Sequence, residues 1–113
     1  MIKNPEIFLG HILECIELLE QYTQDVNKTQ FESDLKLQDA ILRRFEIIGE
    51  ATKNIPHALK KKHPKIPWKK MAGMRDVLIH QYYGVSLNDI WQVIQKDLPK
   101  LKKQIKKMIS ELQ

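Results

Sequence analysis

Between Trp91 and Leu112 apolar residues recur in steps of three and four, at Trp91, Ile94, Leu98, Leu101, Ile105, Met108 and Leu112. That period lays one apolar stripe along a helix, the seam of an antiparallel bundle or of a coiled-coil-like contact. No alternating strand pattern, Asn-Gly hairpin signal or internal repeat competes with it. The expected fold is all-α, an antiparallel helical bundle of about four main helices.

The last helix opens at Ser86, which with Asp89 resembles a capping box, and Pro99 should bend it without ending it, because the stripe continues in register. The first is expected over residues 5 to 25, where Asn4 caps, Pro5 occupies the first helical position and Phe8, Ile12, Cys15, Ile16 and Leu19 follow at helical spacing. Asp25 to Ser33 reads as a polar loop. Leu37, Ile41, Phe45 and Ile48 then mark a second helix ending near Pro56, and Gly49 within it suits a close helix contact. Lys60 to Pro67 reads as a basic connector, since Pro64 and Pro67 exclude a regular helix interior. Pro67 can begin a short third helix, packed through Trp68, Met71, Met74 and Leu78 and ended by Gly84.

A length of 113 residues is the size of one hydrophobic core, so residues 1–113 are expected to form a single domain. The lone cysteine, Cys15, has no disulfide partner within the chain and falls on the apolar stripe of the first helix, which makes it a buried structural thiol. That usage fits a reducing cytoplasm. Neither an export signal in Met1 to Gly10 nor an apolar run of roughly 18 residues, the length that spans a membrane, is present.

Charge divides the chain. Residues 1 to 50 carry 5 Lys/Arg against 10 Asp/Glu, and residues 51 to 113 carry 14 against 4. A basic second half can meet a polyanion or simply be a solvated surface. Lys96, Lys100, Lys103 and Lys107 form a stripe on the last helix, and Lys60, Lys61, Lys62, Lys65, Lys69 and Lys70 precede the third helix or open it. Among these, Lys69, Lys70, Lys96, Lys100, Lys103 and Lys107 are the candidate phosphate contacts, which would position a phosphate-bearing polymer without reading its sequence.

Polar chemistry concentrates in Met71 to Val85, MAGMRDVLIHQYYGV, with Arg75, Asp76, His80, Tyr82 and Tyr83. On an ideal helix Asp76 and His80 share one face and Arg75 and Tyr82 another. Arg75 and His80 lie roughly 140° apart around the axis and about 7.5 Å along it. Their convergence needs a swing of the arginine, a helix that loosens before Gly84, or a second copy of the motif across a dimer axis. Taken singly, each has an ordinary role as well: a surface Arg-Asp ion pair, a histidine near a helix C-terminus, amphipathic packing tyrosines. His11, His57 and His63 lack metal-ligand spacing, and there is no glycine-rich phosphate loop, so neither metal nor nucleotide cofactor is expected.

The ordered set Arg75-x4-His80-x-Tyr82 resembles the signature of HepT-like proteins in the HEPN superfamily. IIGEATKNIP at residues 47–56, IPW at 66–68 and YYGVSLNDIWQVIQKDLP at 82–99 extend the resemblance along most of the chain. It implies a HEPN-like bundle and metal-independent endoribonucleolytic cleavage, typically by a homodimer, with Arg75 and His80 catalytic. His80 suits general acid or base work near neutral pH, and the planar fork of Arg75 suits a phosphate gaining charge. Asp76 stands where relatives often carry Asn, and one turn from His80 it can orient the imidazole. The resemblance further implies a toxin-antitoxin pair in which a minimal nucleotidyltransferase partner silences the enzyme by transferring AMP to Tyr82. The rival reading is a non-catalytic helical subunit that binds a nucleotidyltransferase and helps seat its substrate.

Overall fold

The computed structural model describes residues 4–73 and 86–113, and all of the described regular structure is helical. Helix α1, Pro5–Thr23, begins where Asn4 Oδ1 accepts the Glu6 N–H at 2.9 Å and Pro5 supplies a first position that needs no donor. It buries Leu9, Ile12, Cys15, Ile16 and Leu19, the stripe expected from the sequence with Leu9 in place of the half-buried Phe8. The chain leaves α1 through Asp25, whose φ of 60° lies in the left-handed region that Asp tolerates better than most residues.

The segment expected to be a polar loop contains a second helix, α2, Lys28–Ser33. A full capping box nucleates it: Asn27 Oδ1 accepts the Gln30 N–H at 2.8 Å, and Gln30 Oε1 accepts the Asn27 N–H at 2.9 Å. Its one apolar side chain of size, Phe31, is fully buried and stacks on Trp91 with centroids 5.3 Å apart. Gln38 of the next helix donates to the Phe31 and Glu32 carbonyls at 2.9 and 3.1 Å, pinning α2 to it. Helix α3, Leu35–Lys53, is capped by Asp34 and buries Ile41, Phe45, Ile48, Gly49, Ala51 and Thr52. Thr52 is a buried polar residue whose hydroxyl donates to the Ile48 carbonyl at 2.7 Å, so burying it leaves no unmet donor.

After Pro56 comes a short α4, His57–Lys62, a helix not expected from the sequence, whose last three residues fall within the Lys60 to Pro67 segment read as a basic connector. From His63 to Pro67 the connector is non-helical, as its two prolines require, with Ile66 buried and the Trp68 indole donating to the His63 carbonyl at 3.0 Å. Helix α5 starts directly after Pro67 and is described over 68–73, with Trp68 and Met71 inward and Lys69 and Lys70 exposed.

The long C-terminal element is α6, Leu87–Gln92, then a π-helical turn, Val93–Asp97, then α7, Leu98–Leu112. Ser86 Oγ caps it by accepting the Asp89 N–H. Pro99 has no N–H to give the carbonyl four residues back, and its ring crowds that carbonyl. The turn before it widens, so that Leu98 N–H reaches the Val93 carbonyl, five residues back. The expected continuity across Pro99 is therefore met by a π turn, a recognised way for a helix to absorb a local defect. The core unites α1, α3 and α7, with α1 lying most extensively against α3 and then against α7. Cys15 is in this core beside Arg44, whose Nη1 lies 4.0 Å from the sulfur. Burial pushes the thiol up from its ordinary range, and Arg44 offsets only part of that shift. No described helix is long and apolar enough to cross a membrane.

Candidate nucleic-acid interface

Arg75, Asp76, His80 and Tyr82 lie outside the described residues, as do Tyr83 and Gly84. The described part of α5 ends two residues before Arg75 in the chain. What the structure does place is the basic surface on either side of that segment in sequence.

Lys69, Lys70, Lys96, Lys100, Lys103 and Lys107 are all exposed. Helical geometry alone puts Lys96, Lys100, Lys103 and Lys107 on one side of the C-terminal element. The fold then brings part of the connector onto that side. A groove of about 340 Å³ runs between α3, the start of α5 and the π–α7 junction; Met71, Val93, Leu98 and Leu101 contribute apolar wall, and Lys65, Lys70 and Lys100 contribute cations. A second groove of about 340 Å³ is lined by Lys62, His63, Pro64, Lys65, Ile66, Gln104 and Lys107. The two share Lys65 and Gln104, which makes them one continuous surface.

Of the six candidate lysines the structure thus gathers Lys70, Lys100 and Lys107 around shared walls. Lys69, Lys96 and Lys103 stay exposed on the same elements but do not line these grooves. Lys65 and Lys62, read from sequence as flanking charge that could also meet phosphate, join the set. Gln104 had no sequence signal of function beyond its place between Lys100 and Lys107, one turn from each. Lys102 faces away and pairs with Glu20 of α1 at 3.0 Å. Among the described residues the lone acid lining either groove is Asp97, and Glu111 lies 3.6 Å from His63 Nε2 at the far end. On the neighbouring α4, partial burial lowers the pKa of Lys60 from its usual value.

Such a surface attracts polyanions. Lysine ammoniums are point charges that hold phosphates without fixing base identity, whereas an arginine fork grips one phosphate in a set geometry. Among the described residues no group of three or more His, Cys, Asp or Glu side chains is arranged to hold a metal ion.

Comparison with known proteins agrees with the family resemblance. The family model for ribonuclease HepT-like proteins matches residues 12–108. A Methanocaldococcus jannaschii protein named "Gamma-glutamylcyclotransferase and putative RNase" is 52% identical over 112 residues, covering 99% of this chain and 50% of that one. The chain therefore spans half the length of that relative. A Thermococcus cleftensis protein named "Probable ribonuclease HepT" is 44% identical over 108 residues, covering 96% of this chain and 98% of its own length. No solved structure matches.

Proposed function

We propose, starting from the fact that the chain belongs to the ribonuclease HepT-like family, that it is a metal-independent endoribonuclease whose catalytic pair is Arg75 and His80. The observation that carries this reading is the family match across residues 12–108 in a chain that retains both residues at the motif spacing.

The chemistry needs little apparatus. The 2′-hydroxyl of one nucleotide loses its proton to a base and attacks the adjacent phosphorus. The phosphorus–O5′ bond breaks, and the leaving oxygen takes a proton from an acid, leaving a 2′,3′-cyclic phosphate and a 5′-hydroxyl. An imidazole with a pKa near neutrality serves as either proton carrier, and such transfer contributes typically 10²–10⁴-fold. The Arg75 guanidinium stabilises the extra negative charge on the phosphoryl oxygens, a task that suits its rigid fork. Asp76 orients His80 in this scheme. Cleavage persisting in EDTA, lost in His80→Ala and in Arg75→Lys with helicity intact, is the expected outcome; full activity in both variants sinks the assignment.

The same proposal includes a homodimer, a cytoplasmic setting, and a toxin role opposed by a minimal nucleotidyltransferase antitoxin that modifies Tyr82. AMP on that phenol places a phosphate two residues from His80, where it competes with RNA for Arg75. With such a partner and ATP, AMP mass should appear on the Tyr82 peptide and cleavage should stop, while Tyr82→Phe keeps cleaving. An adduct elsewhere overturns the regulatory part alone. Sedimentation at about twice the monomer mass tests the dimer.

A further inference from the structure

We propose that the two joined grooves form a seat for single-stranded RNA, with one unpaired base over the apolar wall of the first and successive phosphates on Lys100, Lys65 and Lys107. The inference rests on the ribonuclease reading for its choice of polyanion, and on the structure for the path and the single-strandedness.

Three observations carry it. The first groove is amphipathic: Met71, Leu98 and Leu101 are core residues that also form its wall together with half-buried Val93, while Lys65, Lys70 and Lys100 surround it. A volume of about 340 Å³ lies at the lower end of the roughly 300–1,000 Å³ of small-ligand sites, a size for one nucleotide and not for a helix of RNA. Apolar wall plus basic rim is the pattern that takes an unstacked base and its phosphate together, and a paired base has no free face to offer it.

The second groove continues the charge beside a smaller apolar wall that includes Pro64 and Ile66. Lys62, Lys65 and Lys107 surround it, and Gln104 stands in the wall between the two. A strand leaving the first groove therefore meets cations in sequence, which tracks a backbone. All of these cations are lysines; the chain's three arginines are Arg43, Arg44 and Arg75. The seat accordingly holds RNA with little base preference, apart from what the Asp97 carboxylate and Gln104 amide offer a base edge.

The third observation is the π turn, Val93–Asp97, whose first and last residues both line the first groove. Such turns concentrate at functional sites. Here Pro99 imposes the widening, and the widening supplies wall residues to the groove. Lys70 and Met71 also line it, and Arg75 follows five and four residues later in the chain.

The test uses the full chain and a labelled single-stranded RNA whose 2′-hydroxyls are methylated, so that the proposed cleavage is blocked while binding is read by fluorescence anisotropy. Lys65→Gln/Lys100→Gln should weaken binding about tenfold and flatten the slope of log K against log salt by about 1.4, the value for two single-strand phosphates. Gln104→Glu, equal in size and set between the grooves, should weaken it also. Lys28→Gln/Lys36→Gln, which removes two charges from exposed sites on α2 and α3, should leave it unchanged. The same strand annealed to its complement, or carrying abasic positions, should bind more weakly.

Unchanged affinity and slope in the groove variants, or equal affinity for duplex and abasic strands, overturns the seat. Retained RNA binding with loss of hold on a nucleotidyltransferase partner overturns it too, by making the surface a protein dock. Cleavage of unmodified RNA separates the two readings. A wild-type chain that cleaves, with groove variants that bind as it does, leaves the ribonuclease and removes the seat. A wild-type chain that binds through the grooves without cleaving leaves the seat and removes the ribonuclease.

Discussion

Helices α1 and α7 sit side by side in the bundle with equivalent inward faces and opposite outward ones. Inward, α1 gives Leu9, Ile12, Ile16 and Leu19 to the core and α7 gives Leu98, Leu101, Ile105 and Met108. Outward, α1 carries Glu6, Glu14, Glu17 and Glu20 with no Lys or Arg, and α7 carries five lysines with the single acid Glu111. The two surfaces meet at one ion pair, Lys102 with Glu20. Folding needs the inward halves to match, and it does not need the outward halves to differ. The segregation of charge is therefore a property to be explained by what the surface meets, since exposed charge far from its opposite sign contributes little to stability.

The comparison breaks most visibly from the inside. Leu19→Ala on α1 and Met108→Ala on α7, both fully buried, should each cost about 2–5 kcal/mol, read by denaturant unfolding. A large difference between them would mean the two faces are not equivalent. From the outside the helices should part company. Lys100→Glu/Lys107→Glu should cut RNA cleavage at low salt by about tenfold or more while stability moves by about 0.5 kcal/mol or less. Glu14→Lys/Glu17→Lys on α1 should leave cleavage at the wild-type level, and an equal loss from both pairs would erase the distinction.

Where the helices touch, the effect is smaller. Glu20→Gln should cost about 0–1 kcal/mol, shrinking with salt, because both partners are partly exposed. The smallest effect belongs to Cys15. Its folded pKa is raised, so the neutral thiol contributes fully below the unfolded value of about 8.5 and the contribution falls away as pH climbs toward the higher folded value. Stability should be flat in this respect at neutral pH and decline in mild alkali, a decline that Cys15→Ala removes. A thiol reagent that labels the native chain as fast as the unfolded one would contradict its burial.

The helical stripes were legible because burial imposes a period, and α1, α3 and α7 follow it. Helix α2 was missed for a local reason. Its six residues hold one buried side chain, Phe31, too few to show a period, and its stability comes from the Asn27–Gln30 box and from Trp91, sixty residues away in the chain. Pro99 was read as a bend, and the π turn that replaces a simple bend depends on how the freed carbonyl is reached. The chemical motif was legible as spacing, and its residues fall outside the described structure. The grooves were half legible: helical geometry aligns Lys100 with Lys107, but only the folded connector brings Lys65 to both, and Gln104 gains its place from them.

The central claim is cleavage by the RNA's own 2′-hydroxyl with Arg75 and His80 in attendance, and the ends of the product record it. A labelled RNA incubated with the purified chain in EDTA should yield fragments ending in 2′,3′-cyclic phosphate and beginning with 5′-hydroxyl, with none from His80→Ala. Fragments bearing 3′-hydroxyl and 5′-phosphate, or the same yield from His80→Ala, would contradict the account.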